Sequence, residues 1–350
     1  MKTLFMWVLA GCIGAGAAAA QAQTYAVADL GLPSTATGAA SLGANDSGTV
    51  VGLMTPRSGG STSPVKFIHG RAVDLARRAS LTLTWGQATA VNRHGTLVGA
   101  VGTADRPKGW LMISRGQDMT LVRPPGRGLL EVQGVDDQGR VVGTANRADG
   151  ACRCAFVYDP DTGQWNFLPG PDHHPDSTGR AIDNHGRVYG MAHLQQAYRA
   201  VVWHHGKPVA LPDLGGGYSM ATAVNRVGDV VGESLTPSAG ANRHAMWIHD
   251  GVATDLDGDD QRSSSARSVN DAGVVVGTLI DADFTQSGFV SHGGHRLVDL
   301  NHRLTADSKA LWRIERADHV DDQGRIAATA WSRQGLGRRA VLLTPQDGAH

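Results

Sequence analysis

The chain is poor in aromatic rings, in cysteine and in net charge. Phe, Trp and Tyr supply 5% of its 350 residues. A core built on large rings is therefore excluded, and small side chains must do most of the packing. Three cysteines are too few for a disulfide framework. Lys plus Arg equals Asp plus Glu at 32 each. Phosphate neutralisation dominates nucleic-acid affinity, so this balance argues against a nucleic-acid partner. No sustained helical periodicity runs through the body of the chain, and segments such as 129–135 are too short for a stable helix. No Gly-x-Ser-x-Gly elbow, His-Glu-x-x-His helix or phosphate-binding Gly-Lys loop is present.

What is abundant is glycine, at 46 residues, much of it in one recurring phrase. The copies are Asn45-Asp-Ser-Gly-Thr-Val-Val-Gly52, Asn92-Arg-His-Gly-Thr-Leu-Val-Gly99, Asp136-Asp-Gln-Gly-Arg-Val-Val-Gly143, Asp183-Asn-His-Gly-Arg-Val-Tyr-Gly190, Asn225-Arg-Val-Gly-Asp-Val-Val-Gly232, Asn270-Asp-Ala-Gly-Val-Val-Val-Gly277 and Asp321-Asp-Gln-Gly-Arg-Ile-Ala-Ala328. Their first glycines lie 42 to 51 residues apart. That period matches one four-stranded propeller blade. The expected fold is all-β, a seven-bladed β-propeller. Within blade 2, strands are expected over 87–92, 96–101, 108–114 and 117–123.

Three rows of residues run through the expected first strands. Ala44, Val91, Val135, Ile182, Val224, Val269 and Val320 precede the turns and should pack between blades. One step earlier, Gly43, Ala90, Gly134, Ala181, Ala223 and Ser268 fit a crowded inner ring, a rule that His319 breaks. Two steps before the packed row come Leu42, Thr89, Gln133, Arg180, Thr222, Arg267 and Asp318. This mostly polar row should lie near a solvent-filled mouth of the channel.

Fourth strands tend to end in Asp-Leu, as at Asp74-Leu75, Asp213-Leu214, Asp255-Leu256 and Asp299-Leu300. The segment Tyr25-Ala-Val-Ala-Asp-Leu30 carries the same ending before any blade has begun, and the seventh repeat stops one strand short. The N-terminal strand should therefore complete the last blade and remove two exposed sheet edges.

The first 22 residues are read as a secretory signal. Lys2 precedes an apolar run, and Ala20-Gln21-Ala22 has the form of a cleavage site before Gln23. Residues 23–350 are then a single periplasmic or secreted propeller domain, a monomer without a transmembrane span. Leu9-Ala10-Gly11-Cys12 offers the alternative of an outer-membrane lipoprotein anchored through Cys12. Cys152 and Cys154 can remain reduced, close a small disulfide ring or serve as ligands.

The phrase Asn-x-x-Gly-x-Val-Val-Gly, together with Arg243-His-Ala-Met246, resembles the bacterial extracellular repeat family named HAF for histidine-alanine-phenylalanine. His244 and Ala245 match its first two letters, and Ala155-Phe156 matches the last two with Cys154 in the histidine place. The resemblance covers nearly all of the chain after residue 22. It implies export and repeats, without a shared chemistry for the motif histidines.

Binding on a propeller belongs to loops at one face. The face bearing the starts of the first strands should also carry the loops between second and third strands. Candidate ligand-binding residues there are His173, His174, Arg180, His193, Tyr218, Arg267, Trp312, Glu315, Asp318 and His319. Arginine can hold a carboxylate with two donors, and an aromatic ring can cover a sugar face. The leading expectation is a binding module for a cell-envelope or extracellular glycan. An acidic-polysaccharide lyase would use His174 or Tyr218 as base and Arg180 or Arg267 against the developing charge. A protein-interaction scaffold is the third reading. No cofactor is predicted, although Asp255, Asp257 and Asp259 form a calcium candidate in an acidic turn that could project from the ring.

Overall fold

The recurring phrase folds because its first side chain organises the turn. Asn92 Oδ1 accepts the amides of His94 at 3.1 Å and Thr96 at 2.9 Å, and Asp321 Oδ1 accepts those of Gln323 and Arg325 at 3.0 and 2.8 Å. The fourth residue then takes positive φ in all seven copies, between 73° and 100°, which favours glycine there. The second glycine answers a different need. A Cβ at Gly52, Gly99, Gly143, Gly190, Gly232 or Gly277 would lie within 1.9–2.1 Å of a carbonyl oxygen on the first strand. Blade 7 has Ala328 in that place, and there the first strand carries an additional register shift between Ile314 and Arg316.

In this computed structural model, which describes residues 23–171, 174–194 and 196–346, these turns build seven four-stranded antiparallel sheets arranged in a ring. The proposed signal segment, with Cys12, lies outside the described residues. Blades 1 to 4 span residues 36–74, 85–122, 131–168 and 177–210. Blade 2 has strands Trp85–Val91, Leu97–Gly102, Trp110–Arg115 and Asp118–Val122, within two residues of expectation. Blade 5 has Ser219–Val224, Val230–Leu235, Arg243–His249 and Val252–Asp255. Blade 6 has Ser263–Val269, Val274–Ile280, Gln286–His292 and Val298–Asp299. No described helix is long and apolar enough to cross a membrane.

Blade 7 consists of Trp312–Val320, Ile326–Ser332, Arg338–Gln346 and, as its outer strand, Thr24–Asp29. The pairing runs antiparallel from Thr24 opposite Gln346 to Asp29 opposite Val341. Tyr25 is 1% exposed within the blade 6–7 core. The linker between blades 6 and 7 covers the free edge of this strand. Tyr25 N donates to Arg303 O at 2.8 Å, Thr305 N to Tyr25 O at 3.0 Å, and Val27 N to Ser308 Oγ at 2.9 Å. Ser308 lies on the short helix Ala306–Leu311, whose N-cap is Thr305. An edge covered in this way cannot template aggregation.

In blades 1, 4 and 5 the Asp-Leu aspartate partners a residue near the start of the third strand. Ser63 Oγ donates to Asp74 at 2.7 Å, His244 Nδ1 lies 2.9 Å from Asp255, and Arg199 pairs with Asp213. Arg339 lies 3.5 Å from Asp29, so the N-terminal strand fills the same place in blade 7. The HAF-like histidine, His244, is a buried member of this series.

The core is a ring rather than a ball. Seven apolar clusters occupy the seven seams between adjacent blades. Phe156, Trp203, Trp247 and Phe289, all on third strands, help to fill these seams among the smaller side chains. Cys152 and Cys154 are joined as a disulfide, with Cα atoms 5.5 Å apart.

Candidate functional site: the arginine-lined end of the channel

Every first strand carries a β-bulge at the same place. The ladder skips Leu42, Thr89, Gln133, Arg180, Thr222, Arg267 and Asp318, one residue per blade. These are the residues of the polar row. A bulge leaves one residue unpaired and re-aims its side chain. Seven bulges thus detach one ring of side chains from the sheets.

Two of the seven are arginines without a partner. Arg180 and Arg267 have neither a hydrogen bond nor an ion pair among the described residues, and Arg180 Nε is buried. Burial lowers the Arg267 guanidinium pKa. Nearby Asp318 opposes that effect, while Arg316 and Arg180 reinforce it. Arg267 remains open to solvent, as expected for a cation enclosed by protein in a wetted channel. Asp318, the acidic member, is committed: it accepts from Ser41 Oγ at 2.6 Å and Thr329 Oγ1 at 3.1 Å, and it pairs with Arg316.

Beside the arginines sits a second group. Arg243 Nη1 lies 2.8 Å from Glu233, and its guanidinium stands 4.9 Å from the centre of the Tyr218 ring. Tyr218 Oη donates to Glu233 at 3.1 Å. The phenol is pushed up to about 12, first by burial and then by the Glu233 carboxylate. Tyr218 therefore keeps its proton at neutral pH. A cavity of about 450 Å³ opens here, lined by Glu233, Arg243, Arg267, Thr278, Gln286 and Arg316 among others. This lies within the roughly 300–1,000 Å³ of small-molecule sites.

A histidine-aromatic arc adjoins this end. The rings of His174 and His193 are 4.0 Å apart, and His193 meets Tyr198 edge-on at 5.1 Å. The Tyr198 backbone bridges to that of Tyr218. Thus Arg180, Tyr218, Arg267 and Asp318 come together, with His174 and His193 along the rim. His173 lies outside the described residues.

Three other candidates are elsewhere. Trp312 is 7% exposed and packed into the blade 6–7 core. Glu315 is the extra residue of the second bulge in blade 7 and is held between Arg313 at 3.3 Å and Arg338 at 2.7 Å. His319 lines a separate cavity of about 370 Å³ at the turn end of the channel, to which all seven blades contribute. The acidic turn of blade 5 is tied down rather than projecting. Asp257 is bound twice by Arg262, at 2.9 and 2.6 Å, and Asp255 accepts the amides of Asp257 and Gly258. Among the described residues no three His, Cys, Asp or Glu side chains converge as metal ligands.

Sequence reasoning missed Glu233, Arg243, Thr278, Arg316 and Tyr198. For Glu233 a signal existed. The residue after the second glycine is Leu53, Ala100, Thr144, Met191, Glu233, Thr278 or Thr329, with one acid in the row. Arg316 had no such signal, because the second bulge of blade 7 shifts it in register.

No family model matches the chain, and no curated protein matches it. Solved structures share its fold at low identity. The β-propeller domain of the Trilobed protease from Pyrococcus furiosus has a TM-score of 0.58 at 10% identity, covering 93% of this chain and 94% of that one. YCF48 bound to D1 peptide gives 0.53 at 10%, covering 93% and 97%. The extracellular domain of the putative hybrid two component system BT4673 from B. thetaiotaomicron gives 0.51 at 11%, covering 93% of this chain but spanning 40% of that one. The chain is similar to these proteins as a β-propeller.

Proposed function

We propose that the protein is an exported binding module of HAF-repeat type, whose arginine-lined channel end holds an acidic glycan. The observation that carries this reading is the pair of unpartnered arginines, Arg180 and Arg267, set by bulges beside Arg316 and Arg243. Arg267 is open to solvent and Arg180 is half-buried, and neither spends its donors on a protein counterion, so both are free to meet an anion. A uronate carboxylate would supply the missing charge through paired N–H donors. The rim of His174, His193 and Tyr198 offers flat faces for sugar rings. Export rests on the segment 1–22, and the neighbouring BT4673 structure is itself an extracellular domain.

Tyr218 weighs against the lyase reading. A catalytic base must lose its proton near working pH, whereas this phenol is raised and donates to Glu233. A protein partner is the second reading. Tyr198 and Phe284 are exposed at 48% and 85%, and the YCF48 structure contains a bound peptide.

Calorimetry against a panel of acidic and neutral oligosaccharides tests the proposal. An acidic member should bind, weaken with added salt and lose about 10- to 100-fold in affinity with Arg267→Ala, the scale of a charged hydrogen bond. Binding that is indifferent to salt and to Arg267 would refute the assignment.

A further inference from the structure

Thr278 occupies a slot that has a bonding role in two other blades. Thr144 Oγ1 accepts from Gly179 N at 3.2 Å across the blade 3–4 seam, and Thr329 Oγ1 accepts from Ser41 N at 3.2 Å across the blade 7–1 seam. Thr278 forms no equivalent bond. Its Oγ1 is buried without a partner among the described residues, the residue is 5% exposed, and it lines the cavity beside Arg267. A buried hydroxyl left unpaired lowers stability, so a group that bonds it within the cavity would bind with advantage.

The loop above points the same way. Ile280 and Gln286 line the cavity, and the loop between them carries Phe284 at φ 65° with 85% of its surface exposed. Phe284 N donates to Asp281 O at 2.9 Å, and Thr285 N to Asp283 Oδ1 at 3.0 Å, which fixes the turn. A bulky residue held in the left-handed region, with its ring in solvent, is strain of the kind found at ligand clamps.

Glu233, paired with Arg243, supplies a hydrogen-bond acceptor to the cavity. Its carboxylate lines the same space and is 5% exposed. A sugar hydroxyl can donate to this carboxylate, whereas a second carboxylate would meet an acceptor there and gain no hydrogen bond from it.

We infer that the cavity between blades 5 and 6 is a subsite for a neutral, hydroxyl-bearing sugar adjoining the acidic unit held by Arg180 and Arg267. Thr278 hydrogen-bonds this sugar, and Phe284 covers its apolar face. The ligand class is thereby an oligosaccharide in which charged and uncharged units alternate. This deepens the acidic-glycan reading and rests on it.

Two probes separate the possibilities: a hyaluronan hexasaccharide, with glucuronate alternating with an uncharged N-acetylated sugar, and hexagalacturonate, charged at every unit. The wild type should bind the alternating probe at least about tenfold more tightly, as expected for a site with a polar group awaiting its partner. Thr278→Val should erase that preference, leave hexagalacturonate affinity unchanged and melt no lower than the wild type without ligand. Phe284→Ala should weaken the alternating probe selectively. Tighter binding of hexagalacturonate, or a preference untouched by Thr278→Val, would overturn the subsite while leaving the arginine site standing. Failure of both probes to bind the wild type would overturn both.

Discussion

The two ends of the channel use the same residue types in opposite ways. At the turn end, charged groups are consumed by one another and by the backbone. Asp322 N donates to Asp46, Asp271 N to Asp322 and Arg226 N to Asp271, each across a seam. The Arg226 side chain then spans Asp271 and Asp322. The phrase-opening residues add a second circuit: Asn45, Asn92, Asn225 and Asn270 each donate an amide N–H to a main-chain carbonyl of the next blade at 2.8–2.9 Å. Aspartate cannot donate, and each copy that begins with Asp carries Arg four residues later. Arg325 reaches Asp46 O of the next blade in this way. At the other end Arg180 and Arg267 remain unpaired. The contrast separates groups that close a ring from groups that are free to meet a ligand.

The largest break in this comparison removes the ring itself. Deleting residues 23–31 strips blade 7 of its outer strand and empties the place of Tyr25. Loss of that buried ring alone is worth about 3–5 kcal/mol. Thermal denaturation should shift sharply downward, with both ends lost together. An unchanged melting curve would show that the strand does not close the ring.

A smaller change breaks one end only. Asn225 accepts from Gly228 N and Asp229 N at 2.9 and 2.8 Å and donates to Asn270 O at 2.9 Å. Asn225→Ala leaves the buried Asp229 N and Asn270 O without this partner, at a cost of about 2–4 kcal/mol. Urea unfolding should show this loss, while a folded sample at low temperature keeps its ligand affinity.

Arginine replacements sharpen the contrast. Arg226→Ala removes two exposed ion pairs and should cost about 0.5–1 kcal/mol, less at high salt. Arg267→Ala removes an unpartnered cation and should change stability by no more than about 0.5 kcal/mol while weakening acidic-glycan binding about 10- to 100-fold. Equal destabilisation by the two would mean that Arg267 is part of the frame.

The sequence made one end of the channel far more legible than the other. A turn is local: Asn92 and Gly95 are separated by a few bonds, so repetition reveals the frame directly. The unpaired state of Arg267 depends on Asp318, Arg316 and Arg180 from two other blades, which no local pattern brings together. The polar row was visible, but the bulge that creates it was not, because a register shift leaves no residue type behind. Trp312 and Glu315 show the cost. Both were expected on the loop-bearing face at the mouth, whereas Trp312 packs into the blade 6–7 core and Glu315, the extra residue of the second bulge, is held by Arg338. Closure by Tyr25 was legible since Asp29-Leu30 repeats the fourth-strand ending; its cover by Ser308 was not, because that linker occurs once.

The smallest expected effect concerns the single residue that departs from the small inner row. His319 lines the turn-end cavity, with Ser268 Oγ at 3.4 Å from its Nδ1. Burial lowers its pKa below 6.5, although Asp321, Asp46, Asp322 and Asp318 all favour the proton. A histidine kept neutral in the fold takes up its proton more readily when unfolded. Its contribution to stability is therefore intact above pH 6.5, declines as the pH falls below that value, and levels off once the folded state also protonates. His292, lowered mainly by burial, adds an acid limb of the same sign, and His249, raised by its bond to Asp229, adds one of opposite sign. His319→Gln should flatten the fall in urea midpoint between about pH 7 and pH 5 without removing it, since His292 remains. The acidic carboxylates nearby would then be seen to moderate a burial effect that the crowded ring imposes. An acid limb unchanged by the substitution would place the titration outside the channel and leave the turn end with a purely structural role.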